Sequence, residues 1–144
     1  MQLQCIVESA YSIQWIRNYT KCGEFEVHMT VDPDKMQYIK LENLLWIQGR
    51  LECGVIESIK IERTATTHSV TVKGRFAESY FARRLIKSTF NFNGTVEEAM
   101  RQLVTLADIP RVRLGIEKGY TEKIQFQATY KNTLTYLEKL AQYS

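Results

Sequence analysis

No window of the sequence approaches the length of unbroken apolar chain that a helix needs to cross a bilayer, so a membrane-spanning segment is not expected. A secretory leader is missing as well: MQLQCIVES alternates, with Glu8 close behind, where a leader needs a positive start and a continuous apolar stretch. Synthesis in a reducing cytoplasm is the default, with any export occurring as part of an assembly. Cysteine is scarce. Cys5, Cys22 and Cys53 are odd in number and form no Cys-x-x-Cys pair, and the only histidines are His28 and His68, so neither a disulfide framework nor a four-ligand zinc site is expected. The three thiols are expected to be small buried groups. Charge of one sign never accumulates: 19 basic and 16 acidic side chains leave a net charge of +3 with no basic stripe to follow a phosphate backbone. Gly23, Gly49, Gly54, Gly74, Gly94, Gly115 and Gly119 are expected at strand ends or turns, and none belongs to a Gly-rich loop opening a helix, so the familiar nucleotide sites are set aside.

What is present describes a globular chain. Hydrophobic residues make up 44% and charged residues 24%, a balance that excludes disorder and fibrous repeats. A length of 144 residues suits one domain or two small interlocked subdomains.

The first half has the period of strands. In EFEVHMTV, Phe25, Val27, Met29 and Val31 share one face and Glu24, Glu26, His28 and Thr30 the other, which predicts a half-buried antiparallel strand closed by the Asp32-Pro33 turn. The opening run QCIVESAYSIQWIRNY reads as strand, turn and short strand. Leu44 to Ile47 give a short apolar strand ending at Gly49. Two long strands, from Val55 to Ile61 and over HSVTVKGR, form a hairpin without the Asn-Gly signature of the tightest turns. Such a succession is expected to close into a small barrel or a strongly curled sheet, because open edges invite unwanted pairing.

From Phe76 the period changes. FAESYFARRLI places Phe76, Tyr80, Phe81, Leu85 and Ile86 along a helical stripe, and TVEEAMRQLVTLAD is a second helix, with Thr95 and Glu98 as its capping box and Pro110 beyond its end. Asn93-Gly94 reads as a turn. VRLGI and KIQFQATY read as a hairpin with Val112, Leu114 and Ile116 opposite Ile124, Phe126 and Ala128. NTLTYLEKLAQYS is a final helix through Leu134, Leu137, Leu140 and Ala141, and its abrupt end predicts a chain cut after an element that normally continues. The fold class is therefore α+β: a small antiparallel β-barrel-like subdomain over residues 1–75, then an α+β subdomain over 76–144 with two to three helices and a hairpin.

No catalytic constellation emerges, and the chain is not expected to be an enzyme or to hold a cofactor or metal. His28 and His68 fall on polar strand phases and are expected to be surface residues. Glu24 and Glu26 share a strand face, as does Glu57 with its neighbours in phase; a solvated face explains these carboxylates as well as an acid–base pair would. Arg75, Arg83, Arg84 and Lys87 cluster around one helix, and Arg111 with Arg113 is expected to project from one strand face. They are the best case for nucleic acid, opposed by Glu78, Glu97 and Glu98 in the same region. Trp15, Arg17 and Tyr19 fall on one side of an extended stretch. That trio suits a buried subunit contact, or a tryptophan capping the core with an arginine across it, and the sequence leaves both readings open.

Five pieces, WIRNYTKCGEFEV, ECGVIESIKIE, VTVKGRFAESYFARRLI, FNGTVEEAMRQLV and FQATYKNTLTYLEKLA, carry a resemblance in their order and spacing. From about Trp15 to Ala141 the chain resembles the N-terminal part of the siphophage virus tail protein family of Gram-positive phages and prophages, relatives of the baseplate hub. Members of that family are generally longer. The resemblance implies a structural protein of the virion tail, made in the host bacterial cytoplasm. It would form a ring at the tail tip that connects the tail tube to distal tail proteins, as a homo-oligomer with a trimer favoured. The family pattern falls on Trp15, Arg17, Tyr19, Gly23, Glu24 and Phe25, on Gly54, Val55, Ile56 and Glu57, and on Gly74, Arg75, Arg84 and Leu85, implying roles in fold and subunit contact. The alternatives are a nucleic-acid-binding module, with nucleic acid otherwise not expected as a partner, and an accessory domain of a cell-wall hydrolase.

Overall fold

The computed structural model describes residues 2–143. The chain divides into two compact units, Met1–Asn18 with Cys22–Ala77 and Tyr19–Lys21 with Glu78–Ser144. No helix among the described residues is long and apolar enough to cross a membrane.

The first unit is a five-stranded antiparallel sheet. It comprises β1 (Ala10–Ile16), β2 (Glu24–Thr30), β3 (Leu44–Trp46), β4 (Cys53–Arg63) and β5 (His68–Phe76), in the order β1-β2-β5-β4-β3. Alternation places Phe25, Val27 and Met29 of β2 against Val70, Val72 and Phe76 of β5 and Ile56 of β4 in one buried cluster. A bulge between Ile56 and Ser58 and another between Ala10 and Ser12 bend the sheet around that cluster. The long β4–β5 hairpin closes without Asn-Gly because Thr64 replaces it: its Oγ1 accepts from the Thr67 backbone N–H at 3.0 Å. Asp32-Pro33 turns the chain as expected and also starts a short helix, α1 (Pro33–Met36), with the Asp32 carboxylate accepting from the Asp34 N–H.

Of the two forms expected for this half, the structure shows the curled sheet: it is open, with β1 and β3 at its edges, and does not close into a barrel through hydrogen bonds among the described residues. One expectation is corrected. The opening run gives one strand, not two: residues 2–9 form no strand, and Ser9 ties them to the end of β2, its carbonyl accepting from the Thr30 N–H and its hydroxyl donating to the Thr30 carbonyl.

The second unit builds on a two-stranded sheet of β6 (Phe90–Thr95) and β7 (Lys123–Ala128), against which helices α2 (Val96–Ala107) and α3 (Thr133–Ala141) pack. The capping box of α2 forms as the spacing predicts: Thr95 Oγ1 accepts from Glu98 N–H, and Glu98 Oε2 accepts from Thr95 N–H. Val96, Ala99, Leu103 and Ala107 are its buried face, and Thr133, Leu134, Tyr136, Leu137 and Leu140 that of α3. Tyr136 adds a polar lock, its hydroxyl donating to the Thr129 carbonyl and accepting from the Thr129 N–H, both at 2.9 Å.

Three expectations fail here. Ala77–Arg83 is a 3₁₀ helix, Phe76 belongs to β5, and Leu85 is exposed. An α-helix cannot run through this point because the Arg84 carbonyl is taken by Thr133, while Ile86 exchanges backbone bonds with Lys131 and Tyr130. Asn93-Gly94 is not a turn but the middle of β6, Gly94 standing opposite Ile124. Val112, Leu114 and Ile116 form no strand and are exposed, since β7 takes β6 as its partner. Left-handed backbone at Asp108, Arg111 and Gly119 breaks that stretch, which is tied down from α2 instead.

Candidate functional site

Each position implied by the resemblance has a definite setting. Gly23, Gly54 and Gly74 surround an aromatic group. Trp15 packs its ring against Phe25 at 5.5 Å and Phe76 at 4.8 Å between centroids. A Cβ at Gly23 would meet the Phe76 ring and the Ile16 carbonyl. One at Gly54 would run into the Phe25 ring, and one at Gly74 would overlap both that ring and the Val55 carbonyl. Gly54, the second residue of β4, and Gly74, two residues before the end of β5, leave the space that the Phe25 ring occupies on the sheet.

Arg17 and Tyr19 do not continue this surface. β1 ends at Ile16, so the extended stretch that would align Trp15, Arg17 and Tyr19 is absent. Trp15 is half-buried in the core cluster, Arg17 pairs with Glu52, and Tyr19 is 90% exposed. Glu52, which the sequence did not single out, is the residue holding this corner. Its pKa is lowered by its own backbone N–H first, with the Arg17 charge and the nearby indole N–H of Trp15 adding to the effect against burial. That indole nitrogen lies near the carboxylate without a properly formed hydrogen bond.

The opposite face of the sheet carries charges in rows. Glu24 stands opposite Arg75, and Glu26 opposite Lys73. Glu57 accepts two hydrogen bonds from the Arg75 guanidinium, from Nε at 3.0 Å and Nη2 at 2.8 Å. Glu26 takes Lys73 Nζ at 2.8 Å and His28 Nε2 at 2.7 Å, and Thr71 Oγ1 lies 3.1 Å from His28 Nδ1. His28 is therefore part of a half-buried network and not a plain surface histidine; His68 is exposed as expected. A shallow groove of about 460 Å³ runs over Gln14, Glu24, Glu26, Glu57, Lys73 and Arg75. Lys73 holds the Glu26 carboxyl below the usual carboxylate range, the reverse of the raised value a glycosidase acid requires. No group of three or more potential metal ligands gathers among the described residues.

The basic residues are not arranged as expected. Arg83 lies over the Tyr80 ring, and Arg84 is exposed. Arg111 and Arg113 sit in the irregular stretch and project from no strand face. Glu97 and Glu98 are engaged with backbone N–H groups. The three cysteines form no disulfide among the described residues and are half-buried rather than fully buried.

A second groove, about 540 Å³ and mostly apolar, opens between the two edges of the first sheet. Leu3, Ile6 and Ile13 line one side, Leu44, Leu45 and Trp46 the other. Leu3, Ile6, Ile13 and Trp46 are each more than two-fifths exposed.

Known proteins share this architecture. An E. coli protein described as a component of the type VI secretion system, with structural similarity to the T4 bacteriophage tail proteins gp27 and gp5, matches 93% of this chain at 13% identity and a TM-score of 0.57. The 43 kDa tail protein of prophage MuSo2 from Shewanella oneidensis matches 85% at 20% identity and a TM-score of 0.54. The tail protein from Neisseria meningitidis MC58 matches 87% at 16% identity and a TM-score of 0.55. This chain spans 40%, 39% and 37% of their respective lengths, and at these identities the likeness is one of fold. The comparison with curated proteins finds no match. A family model matches all of residues 1–144, and the chain belongs to the Siphovirus ReqiPepy6 Gp37-like protein family.

Proposed function

We propose that this chain is a structural component of a phage or prophage tail, placed at the tail tip or baseplate hub. There it forms a ring, a trimer in the favoured arrangement, that connects the tail tube to distal tail proteins. The protein is made in the host bacterial cytoplasm and ends in the virion tail. It works by contact alone, without catalysis or a cofactor. The observation that carries this reading is the fold shared with tail-type proteins over 85–93% of the chain. Local geometry supports it: two open sheet edges flank an apolar groove, the kind of surface a protein covers by assembling. The nucleic-acid alternative loses its main support with Arg111 and Arg113 off any strand face, and the hydrolase alternative with Glu26 and Glu57 each paired to a cation.

The test is the absolute mass of the purified chain, by light scattering after size exclusion, over a wide concentration range. A trimer, or a mass rising to a multiple of it, is expected. A monomer at every concentration contradicts self-assembly of this chain.

A further inference from the structure

The exposed face of the β6–β7 sheet is chemically unlike that of the first sheet. Phe92, Ile124, Phe126 and Ala128 point to the helices, and the other phase carries Asn91 opposite Gln127 and Asn93 opposite Gln125. All four carboxamides are exposed and make no side-chain hydrogen bond among the described residues. On the first sheet, by contrast, polar side chains satisfy one another, as in Glu26 with Lys73 and Glu57 with Arg75. Asparagine is disfavoured in strands, and threonine would keep this face soluble at less cost to the sheet. Two asparagines in one short strand, each opposite a glutamine, therefore go against the local preference with no side-chain bond among the described residues in return, which points to use.

We propose that this face is a binding site for a neutral oligosaccharide. Each carboxamide offers one acceptor and two donor positions, the pattern that pairs with neighbouring hydroxyls of a sugar ring. Cross-strand neighbours are spaced by about 5 Å and diagonal ones by about 7 Å, so the quartet spans roughly one to two sugar units. None of the four is charged, which favours hydroxyl groups over phosphate or carboxylate. A shallow, open depression of about 500 Å³ is lined by these four residues and by Phe92 and Phe126, which lie between them in the two strands. This inference stands apart from tail assembly, which does not require it.

The experiment titrates the intact, ¹⁵N-labelled chain with maltohexaose, cellotetraose and tetra-N-acetylchitotetraose in turn, following the side-chain NH₂ signals by NMR. At least one sugar shifts the signals of Asn91, Asn93, Gln125 and Gln127 to saturation. The N93T/Q125T variant, which restores strand-favouring residues, melts no lower and binds roughly tenfold more weakly. Three results overturn the proposal: none of the three sugars moves these signals, or N93T/Q125T binds as well as the parent, or the signals move with protein concentration alone. The last would assign the face to a second copy of the chain.

Discussion

Phe25 on β2 stands directly opposite Gly74 on β5, and its ring occupies the space a side chain at position 74 would need. Gly54 on β4 lies under the same ring, so one phenylalanine is seated on two glycines from two neighbouring strands. The two glycines differ in what else confines them. At Gly54 the three nearest neighbours of an added Cβ are all atoms of that ring, whereas at Gly74 the backbone carbonyl of Val55 is in the way.

That difference predicts a coupling pattern. Gly74→Ala is expected to cost about 3 kcal/mol, the upper end for overpacking, because the Val55 backbone cannot yield. Gly54→Ala is expected to cost about 1–2 kcal/mol, since the ring can swing aside. In a Phe25→Leu background the cost of Gly54→Ala should shrink while that of Gly74→Ala persists, as measured by urea unfolding in a double-mutant cycle.

Thr95 is the keystone of α2, being both the last residue of β6 and the helix cap. Thr95→Ala is expected to destabilise the protein by about 1 kcal/mol, and Thr95→Ser to recover most of it. Thermal melts of the three proteins check this.

Acid should weaken the fold in a defined window. Glu97 accepts backbone N–H groups from Lys118, Gly119 and Tyr120 at 2.6, 2.8 and 3.0 Å, and these bonds, Lys118 first, hold its carboxyl below the usual carboxylate range. Glu98, held by the Thr95 N–H, and Glu26, held by Lys73, are lowered too. A carboxyl whose folded pKa is depressed contributes stability that is present above its unfolded value and is lost as pH falls through the folded one. Unfolding free energy is therefore expected to be flat above about pH 5 with respect to these groups and to decline below it. Glu97→Gln should flatten part of that decline and speed amide exchange at residues 118–120, read by urea titration across pH and by hydrogen exchange.

Surface residues of the family pattern should separate folding from assembly. Tyr19 is 90% exposed, and the Arg84 side chain is also exposed. Tyr19→Ala and Arg84→Ala are expected to change unfolding free energy by no more than about 0.5 kcal/mol. If these positions serve subunit contact, the same variants shift the mass in solution towards monomer, read by light scattering.

Much of the first unit could be read from period alone. EFEVHMTV, Leu44–Ile47 and the two long strands of the hairpin fall where alternation put them, because each has a face that must be buried. Alternation does not name a partner, however. Val112, Leu114 and Ile116 alternate as well as Phe90 and Phe92 do, yet β7 pairs with the phenylalanines, and tertiary packing decided between them. FAESYFARRLI was misread because its backbone groups bond to residues more than forty positions away, which no local stripe reveals. The resemblance marks positions but not their partners: Phe76 against Trp15 and Glu52 beside Arg17 carry no local signal. The carboxamide face does carry one, since NFN and QFQ alternate as plainly as their phenylalanines.

Counting this chain in purified particles tests most directly whether it is a structural part of a tail. Quantitative mass spectrometry of tails from the phage or induced prophage that encodes it, referenced to the tail-tube subunit, should find it as an integral component in a multiple of three copies. Its absence from intact tails would contradict the account.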